Sequence, residues 1–235
     1  MAIWFALILG AYLLGSLPVS YLVAKFCGID LRQCGTGQAG AGNLWRMTSW
    51  RLGLPVGAFD FGKGLVMVWV AQLVGLDVAQ QLAVGLAAII GHNWSVFLRF
   101  SGGRGVGTTI GIILILPLIN EMTPWATVAF FAFLVIGSII LRSSPVPVFF
   151  SVAALPVVSC FYEPPSVILG FLAIFLIIAI KRLTAPRAVA TVSVSQGRLL
   201  LNRLLFDRDI TDRKAWMYRV PPEASATEQP ERREG

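Results

Sequence analysis

Two short stretches carry the residues that could do chemistry. The first, Cys34 to Asn43, reads CGTGQAGAGN and contains Gly35-x-Gly37-x-x-Gly40. The second, Ser101 to Thr109, reads SGGRGVGTT. Glycines at such spacing let successive backbone N–H groups turn into one concavity, which binds an anion. Around the first stretch Thr36, Gln38 and Asn43 add neutral hydrogen-bonding groups, and Arg46 adds a planar fork that fits phosphate. In the second, Arg104 stands among Gly102, Gly103 and Gly105, directly ahead of an apolar run. If that run is a helix, its free N-terminal N–H groups make a further anion site. Two such loops imply a substrate, or a substrate pair, with more than one phosphate.

The first stretch also spells the dinucleotide-binding fingerprint, and Asp60 follows roughly twenty positions on, where a ribose-binding carboxylate belongs. That fold needs a strand before the glycines and a βαβ unit around them. GIDLRQ is a poor buried strand, and Asp60 falls inside an apolar run, so the nucleotide reading fails. The second stretch resembles a P-loop but lacks the GK[ST] tripeptide. A plain structural reading stays open for both: a flexible connection for the first, and a tight helix–helix turn for the second. The turn leaves Arg104 unexplained.

The elements that must position these loops are membrane helices. The 235-residue chain is 56% hydrophobic and 13% charged, with mean hydropathy +0.75. A soluble domain carries about 25% charge. Apolar runs fall at Ile3–Ala24, Leu52–Val74, Gln81–Leu98, Val106–Ile119, Trp125–Leu141, Val146–Phe161 and Val167–Ile180. About twenty helical residues cross a hydrocarbon core of about 30 Å. The first run lacks a basic n-region and is too long for a signal peptide. With the N-terminus outside, the cytoplasmic connections hold Lys25, Arg32, Arg46, Arg51, Arg99, Arg104, Arg142, Lys181 and Arg182, and the opposite ones hold only Asp77, Glu121 and Glu163. This is the positive-inside pattern. The expected fold is therefore an all-α integral membrane protein of seven transmembrane helices, N-terminus outside and C-terminus cytoplasmic.

The cysteines Cys27, Cys34 and Cys160 form no CxxC pair, and His92 is the single histidine, which argues against a metal or disulfide framework. The formal charge of +7 follows from topology and attraction to anionic lipid, not from nucleic-acid binding. Residues 1–183 form the membrane unit, and 184–235 a polar cytoplasmic tail. Its end, PPEASATEQPERREG, has the composition of a disordered segment. Within the tail AVATVSVS alternates like a strand, and RLLLNRLLF fits an interfacial amphipathic helix. Asp60 and Lys63 lie three apart on one helical face inside the second span. Each costs about 2.5–3.5 kcal/mol at mid-membrane, so they pair or line a polar cavity. His92 lies about as deep as Asp60, roughly 10 Å from the cytoplasmic side at the helical rise, and is expected to face the same cavity.

With these motifs in place, the chain resembles the bacterial acyl-phosphate:glycerol-3-phosphate acyltransferase family (PlsY). The similarity lies in GSLPVSYLVAKFCGIDLRQCGTGQAGAGNLWR (15–46), DFGKG (60–64) and GHNWSVFLRFSGGRGVGT (91–108). The family's SGNxGATN loop falls on Thr36, Gly37, Gln38, Gly40, Ala41, Gly42 and Asn43, followed by Arg46. Its GGKGVAT loop falls on Gly102 to Thr108, with Arg104 in the lysine position. Arginine there widens a point charge into a fork. Ser95 replaces a usual proline, and in the third motif, Ala179-Ile180-Lys181-Arg182-Leu183, alanine replaces asparagine.

The resemblance implies transfer of an acyl group from acyl phosphate to glycerol 3-phosphate, giving lysophosphatidic acid and inorganic phosphate in the cell inner membrane. It implies no cofactor and no metal. The partners are the two substrates and membrane lipids, with no nucleic acid, and no oligomeric state follows. Thr36, Arg104 and His92 are the candidate catalytic residues. Gly37, Gln38, Gly40, Asn43 and Arg46 with Gly102, Gly103, Arg104 and Gly105 are the candidate phosphate ligands, and Asp60 and Lys63 the buried polar support. A non-catalytic paralogue that binds phosphate, or a transporter, are the competing readings.

Overall fold

The protein is described by a computed structural model over residues 1–185 and 194–218. Among these residues the regular structure is helical, apart from one isolated bridge between Ser95 and Ser101. In chain order the helices are α1 (Ala2–Ser16), α2 (Val19–Phe26), α3 (Ala41–Met47), α4 (Trp50–Leu73), α5 (Val78–Asn93), α6 (Val106–Ile119), α7 (Trp125–Leu141), α8 (Pro145–Ser159), α9 (Pro165–Leu183), α10 (Gln196–Phe206) and α11 (Arg213–Met217).

Three segments, Ala2–Phe26, Trp50–Leu73 and Pro165–Leu183, are long and apolar enough to cross a membrane, and α6, α7 and α8 are shorter apolar helices. Phe5, Leu9, Trp69, Ile136, Ile139 and Leu169 point outward and are exposed. So broad an apolar surface belongs in lipid. Inside, Val68, Leu82, Ile112, Phe130, Leu155 and Ile174 form one buried core spread over six helices.

Small residues bring the helices close. A Cβ at Gly15 would strike Ala88 O, and one at Gly91 would strike Tyr12 O, so α1 and α5 touch backbone to backbone. Gly64 lies likewise on Thr108 O, and Gly111 on Phe61 O, joining α4 to α6. Without a hydrophobic drive between helices in lipid, such close packing is what holds them together.

The structure differs from the sequence expectation in several places. The first run is not one helix: it breaks at Leu17–Pro18, because proline lacks the N–H and forces its predecessor out of the helical region. The freed carbonyls are taken by side chains. Lys63 Nζ donates to Gly15 O at 3.2 Å and to Leu17 O at 2.8 Å, and Ser95 Oγ donates to Ser16 O at 2.5 Å. The third run starts earlier, behind an Asp77–Gln80 capping box, and ends earlier, at Asn93. His92 is thus the next-to-last residue of α5, not two turns inside it, because Gly103 N reaches back to bond His92 O at 3.0 Å. The glycine-rich stretch before Arg46 contains a helix of its own, α3.

In the tail, the amphipathic run is helix α10, packed on α8 and α9. It is followed by α11, which the sequence reading lacked. The alternating segment lies, but for its last two residues, outside the described ones, as does the polar end.

Candidate active site

The first glycine loop runs from α2 to α3 over a small apolar cluster of Ala24, Leu31, Leu44 and Val56. Asp30 and Arg32 fix its start through three bonds: Arg32 Nη2 to Oδ2 at 2.8 Å, and Nε and the backbone N to Oδ1 at 3.1 and 3.0 Å. The bonded guanidinium holds the Asp30 carboxyl below its ordinary range. Asn43 organises the rest. Its Oδ1 accepts from Thr36 N at 2.9 Å, and its Nδ2 lies 3.1 Å from the carbonyls of Leu31, Cys34 and Gln38. Gly37, at φ +74°, makes the turn that this ring of bonds requires.

The second loop joins α5 to α6. A Cβ on Gly103 would collide with His92 Nε2, so the loop lies directly against the imidazole. Gly105 turns the chain at φ +70° and becomes the N-cap of α6, whose first turn opens onto a cavity. Thr108 Oγ1 donates to Asp60 O at 3.0 Å and ties α6 to α4.

Behind the loops sits a buried charged trio. Asp60 Oδ1 is 3.0 Å from Lys63 Nζ and 3.5 Å from His92 Nδ1, and all three residues are under a tenth exposed. The carboxylate orients the ring, so that Nδ1 faces Asp60 and Nε2 faces the second loop. A carboxylate and an ammonium this deep satisfy each other, and the two carbonyls of the α1 break complete the ammonium's bonds.

One cavity, of about 320 Å³, gathers these parts. Thr36, Gln38, Gly40, Asn43, Arg46, Asp60, His92, Arg104 and Gly105 line it. Gly37, Lys63, Gly102 and Gly103 stand behind the lining, shaping the loops or, for Lys63, closing the α1 break. Asp60 and His92 face the same cavity, although His92 stands at the end of α5 rather than two turns inside it. Arg46 donates to Gly42 O at 3.0 Å. Loss of water around its guanidinium, then the nearby charge of Arg213, push it below the usual arginine range. Arg104 donates to Lys181 O and pairs with Asp207 at 2.6 Å, while its Nε has no hydrogen-bond partner among the described residues.

Residues the sequence reading did not place here also line the cavity: Arg182, Asp207, Arg208, Arg213 and Trp216. All but Arg182 come from α10, α11 and the turn between them. The charge and amphipathic pattern of that segment were visible in the sequence, but its partner was not.

A helical bundle with two glycine loops, several arginines and a buried Asp–His–Lys trio on one cavity defines a membrane protein with a strongly cationic internal site. Comparison with known proteins gives the family. Residues 5–190 match the glycerol-3-phosphate acyltransferase family. The chain is 37% identical over 225 residues to glycerol-3-phosphate acyltransferase 4 of Dehalococcoides mccartyi (strain CBDB1), covering 92% of this chain and 94% of that protein. It is 47% identical over 115 residues to a glycerol-3-phosphate acyltransferase of Thermus thermophilus, covering 49% of this chain and 57% of that one. Among solved structures it is similar to PlsY (YgiH), an integral membrane glycerol 3-phosphate acyltransferase, in its glycerol 3-phosphate form. That likeness has TM-score 0.69 and 27% identity, covering 76% of this chain and 88% of the other. A lysophosphatidic acid form of the same protein matches with TM-score 0.64. The chain belongs to the glycerol-3-phosphate acyltransferase family.

Proposed function

We propose that this protein transfers an acyl group from acyl phosphate to the primary hydroxyl of glycerol 3-phosphate, forming lysophosphatidic acid and inorganic phosphate. The observation that carries the reading is the single cavity onto which both glycine loops, Arg46 and Arg104 open. Each substrate brings one phosphate, and the site offers two anion-binding walls. The relatives named for glycerol 3-phosphate acyl transfer, and the one solved with glycerol 3-phosphate and lysophosphatidic acid, support the same substrate class.

In this reading Arg46, Thr36, Gln38 and the loop that Asn43 holds bind one phosphate, and Arg104 with Gly105 and the first turn of α6 binds the other, Gly102 and Gly103 shaping the loop behind them. An acyl phosphate is a mixed anhydride with a good leaving group, so no covalent enzyme nucleophile is needed. The hydroxyl oxygen bonds to the acyl carbon and the carbon–oxygen bond to phosphate breaks. Phosphate leaves with the electron pair, and the hydroxyl proton passes to a phosphate oxygen, directly or through Thr36. His92, pressed against Gly103 and turned toward Asp60, acts as a positioning residue for the second loop. Catalysis then rests on juxtaposition, which supplies up to about 7–11 kcal/mol in favourable cases, and on donors aimed at the developing oxyanion. Val106, Pro145 and Val148 give the cavity an apolar side that suits an acyl chain arriving from the bilayer.

The positive-inside pattern supports seven crossings with the N-terminus outside, in the cytoplasmic membrane, and a membrane unit of residues 1–183 followed by a cytoplasmic tail. The test is direct. Purified protein in lipid, given acyl phosphate and labelled glycerol 3-phosphate, is expected to release labelled lysophosphatidic acid, and Arg46→Ala or Arg104→Ala to abolish it in folded protein. Wild-type rates in both variants would sink the site assignment, and flux of glycerol 3-phosphate across vesicles without product would favour a transporter.

A further inference from the structure

The family match ends at residue 190, so α10, α11 and the turn joining them lie beyond it. Yet this segment is built into the cavity. Arg182, in the third motif and 2% exposed, donates to Leu204 O at 2.7 Å and to Pro145 O at 3.0 Å. Arg203 donates to Leu183 O at 2.9 Å and bonds Asp209 at 2.7 Å, and Asn202 donates to Asp209 O at 3.0 Å. Two buried arginines thus fasten the last turns of α9 to α10, and the turn after α10 supplies Asp207 and Arg208 to the cavity lining. The motif that lacks its asparagine serves as the anchor for this segment.

The charges that the segment delivers are unbalanced. Arg208 and Arg213 line the cavity with Arg46. Their bonds are to backbone carbonyls: Arg46 to Gly42, Arg208 to Ile210 and Arg213 to Arg142. None of the three is in an ion pair among the described residues. Asp212, whose charge acts on Arg208, is occupied as the N-cap of α11, and Asp207, whose charge reaches Arg46, is already paired with Arg104. Three guanidinium groups converging on one space repel one another unless an anion lies between them. Asp207 and Arg104 are 2.6 Å apart, but no hydrogen bond is aligned on that carboxylate oxygen. The carboxylate stands as a counter-ion on the arginine, without the two parallel bonds of a fixed fork.

We infer that the C-terminal segment is a substrate-binding element: Arg208 and Arg213 join Arg46 as ligands of one phosphate group, and Asp207 occupies Arg104 as an exchangeable anion that the other phosphate displaces. This rests on the acyltransferase reading for the identity of the phosphates, but not for the binding itself. Binding at Arg104 is then an exchange of one anion for another, so the cavity's charge is never bare.

Inorganic phosphate is the probe, measured by calorimetry on purified full-length protein, with thermal unfolding as the check on folding. Arg208→Gln with Arg213→Gln is expected to weaken phosphate binding roughly tenfold or more, as loss of charged hydrogen bonds does, and Arg208→Lys with Arg213→Lys to restore part of it. Asp207→Asn removes the competitor and is expected to tighten phosphate binding and lower the KM of one substrate. Unchanged phosphate affinity in the double glutamine variant, at unchanged stability, overturns the ligand role. Weaker phosphate binding in Asp207→Asn overturns the exchange and makes Asp207 an orienting residue for Arg104. Phosphate binding with these responses in a protein that makes no lysophosphatidic acid keeps this inference and removes the acyltransferase reading.

Discussion

His92 is held on two edges: Nδ1 by the Asp60 carboxylate, and Nε2 by the backbone of Gly103. That contact makes Gly103 a sensitive position although it carries no side chain. Gly103→Ala must move either the ring or the loop, and a displacement of about 1 Å in such a site costs about 100-fold in rate. We expect a kcat/KM loss of that order with near-normal thermal stability, read by product formation and unfolding in parallel. Lys63 behaves in the opposite way. Its ammonium answers one carboxylate and two carbonyls, all away from water. Lys63→Met leaves those oxygens unpaired, and breaking a buried pair costs about 3–5 kcal/mol. A clear fall in melting temperature in detergent should appear before any kinetic change is considered.

The helices depend on a few glycines to bring their backbones together, and neighbouring glycines on α4 separate this role from chance. A Cβ at Gly64 would strike Thr108 O, whereas one at Gly62 meets nothing within 4 Å. Gly64→Val should push α6 away, lowering the melting temperature and moving the N-cap at Gly105 off the cavity. Gly62→Val should change neither. The apolar runs were legible in the sequence because a lipid-facing helix must be apolar over most of its length, and α4, α6, α7, α8 and α9 fall within a few residues of their expected places. The break in the first run was not read, because a proline is tolerated inside a membrane helix when its neighbours satisfy the freed carbonyls. Here those neighbours are Lys63 and Ser95, distant in sequence. The anion-binding reading of the loops rested on Gly37, Gly105, Arg46 and Arg104, whose chemistry is local, and the structure brings Arg46, Gly105 and Arg104 to one cavity. The role of Asp207 was illegible, because pairing between Arg104 and a residue in the tail is a tertiary fact that no spacing encodes.

For the whole molecule, orientation can be tested on native cysteines. Cys27 and Cys160 are both exposed at helix ends. Seven crossings with the N-terminus outside put Cys160 on the outer side and Cys27 on the cytoplasmic side. A membrane-impermeant thiol reagent added to intact cells should modify Cys160 and spare Cys27, and the reverse would invert the topology. The three apolar clusters and the small-residue contacts join α1, α4, α5 and α6 into one body around the cavity. The broken first crossing has a consequence for whether this protein can be divided. Apart from packing, α1 gives the site little more than carbonyl oxygens, but they are what keeps an ammonium beside Asp60. A chain lacking residues 1–18 should therefore lose the Asp60–His92 geometry as well as a hydrophobic segment. Supplying that segment as a separate peptide should restore the enzyme only when the peptide ends in the Leu17–Pro18 kink, and a straightened version with alanine at position 18 should insert beside it and repair nothing.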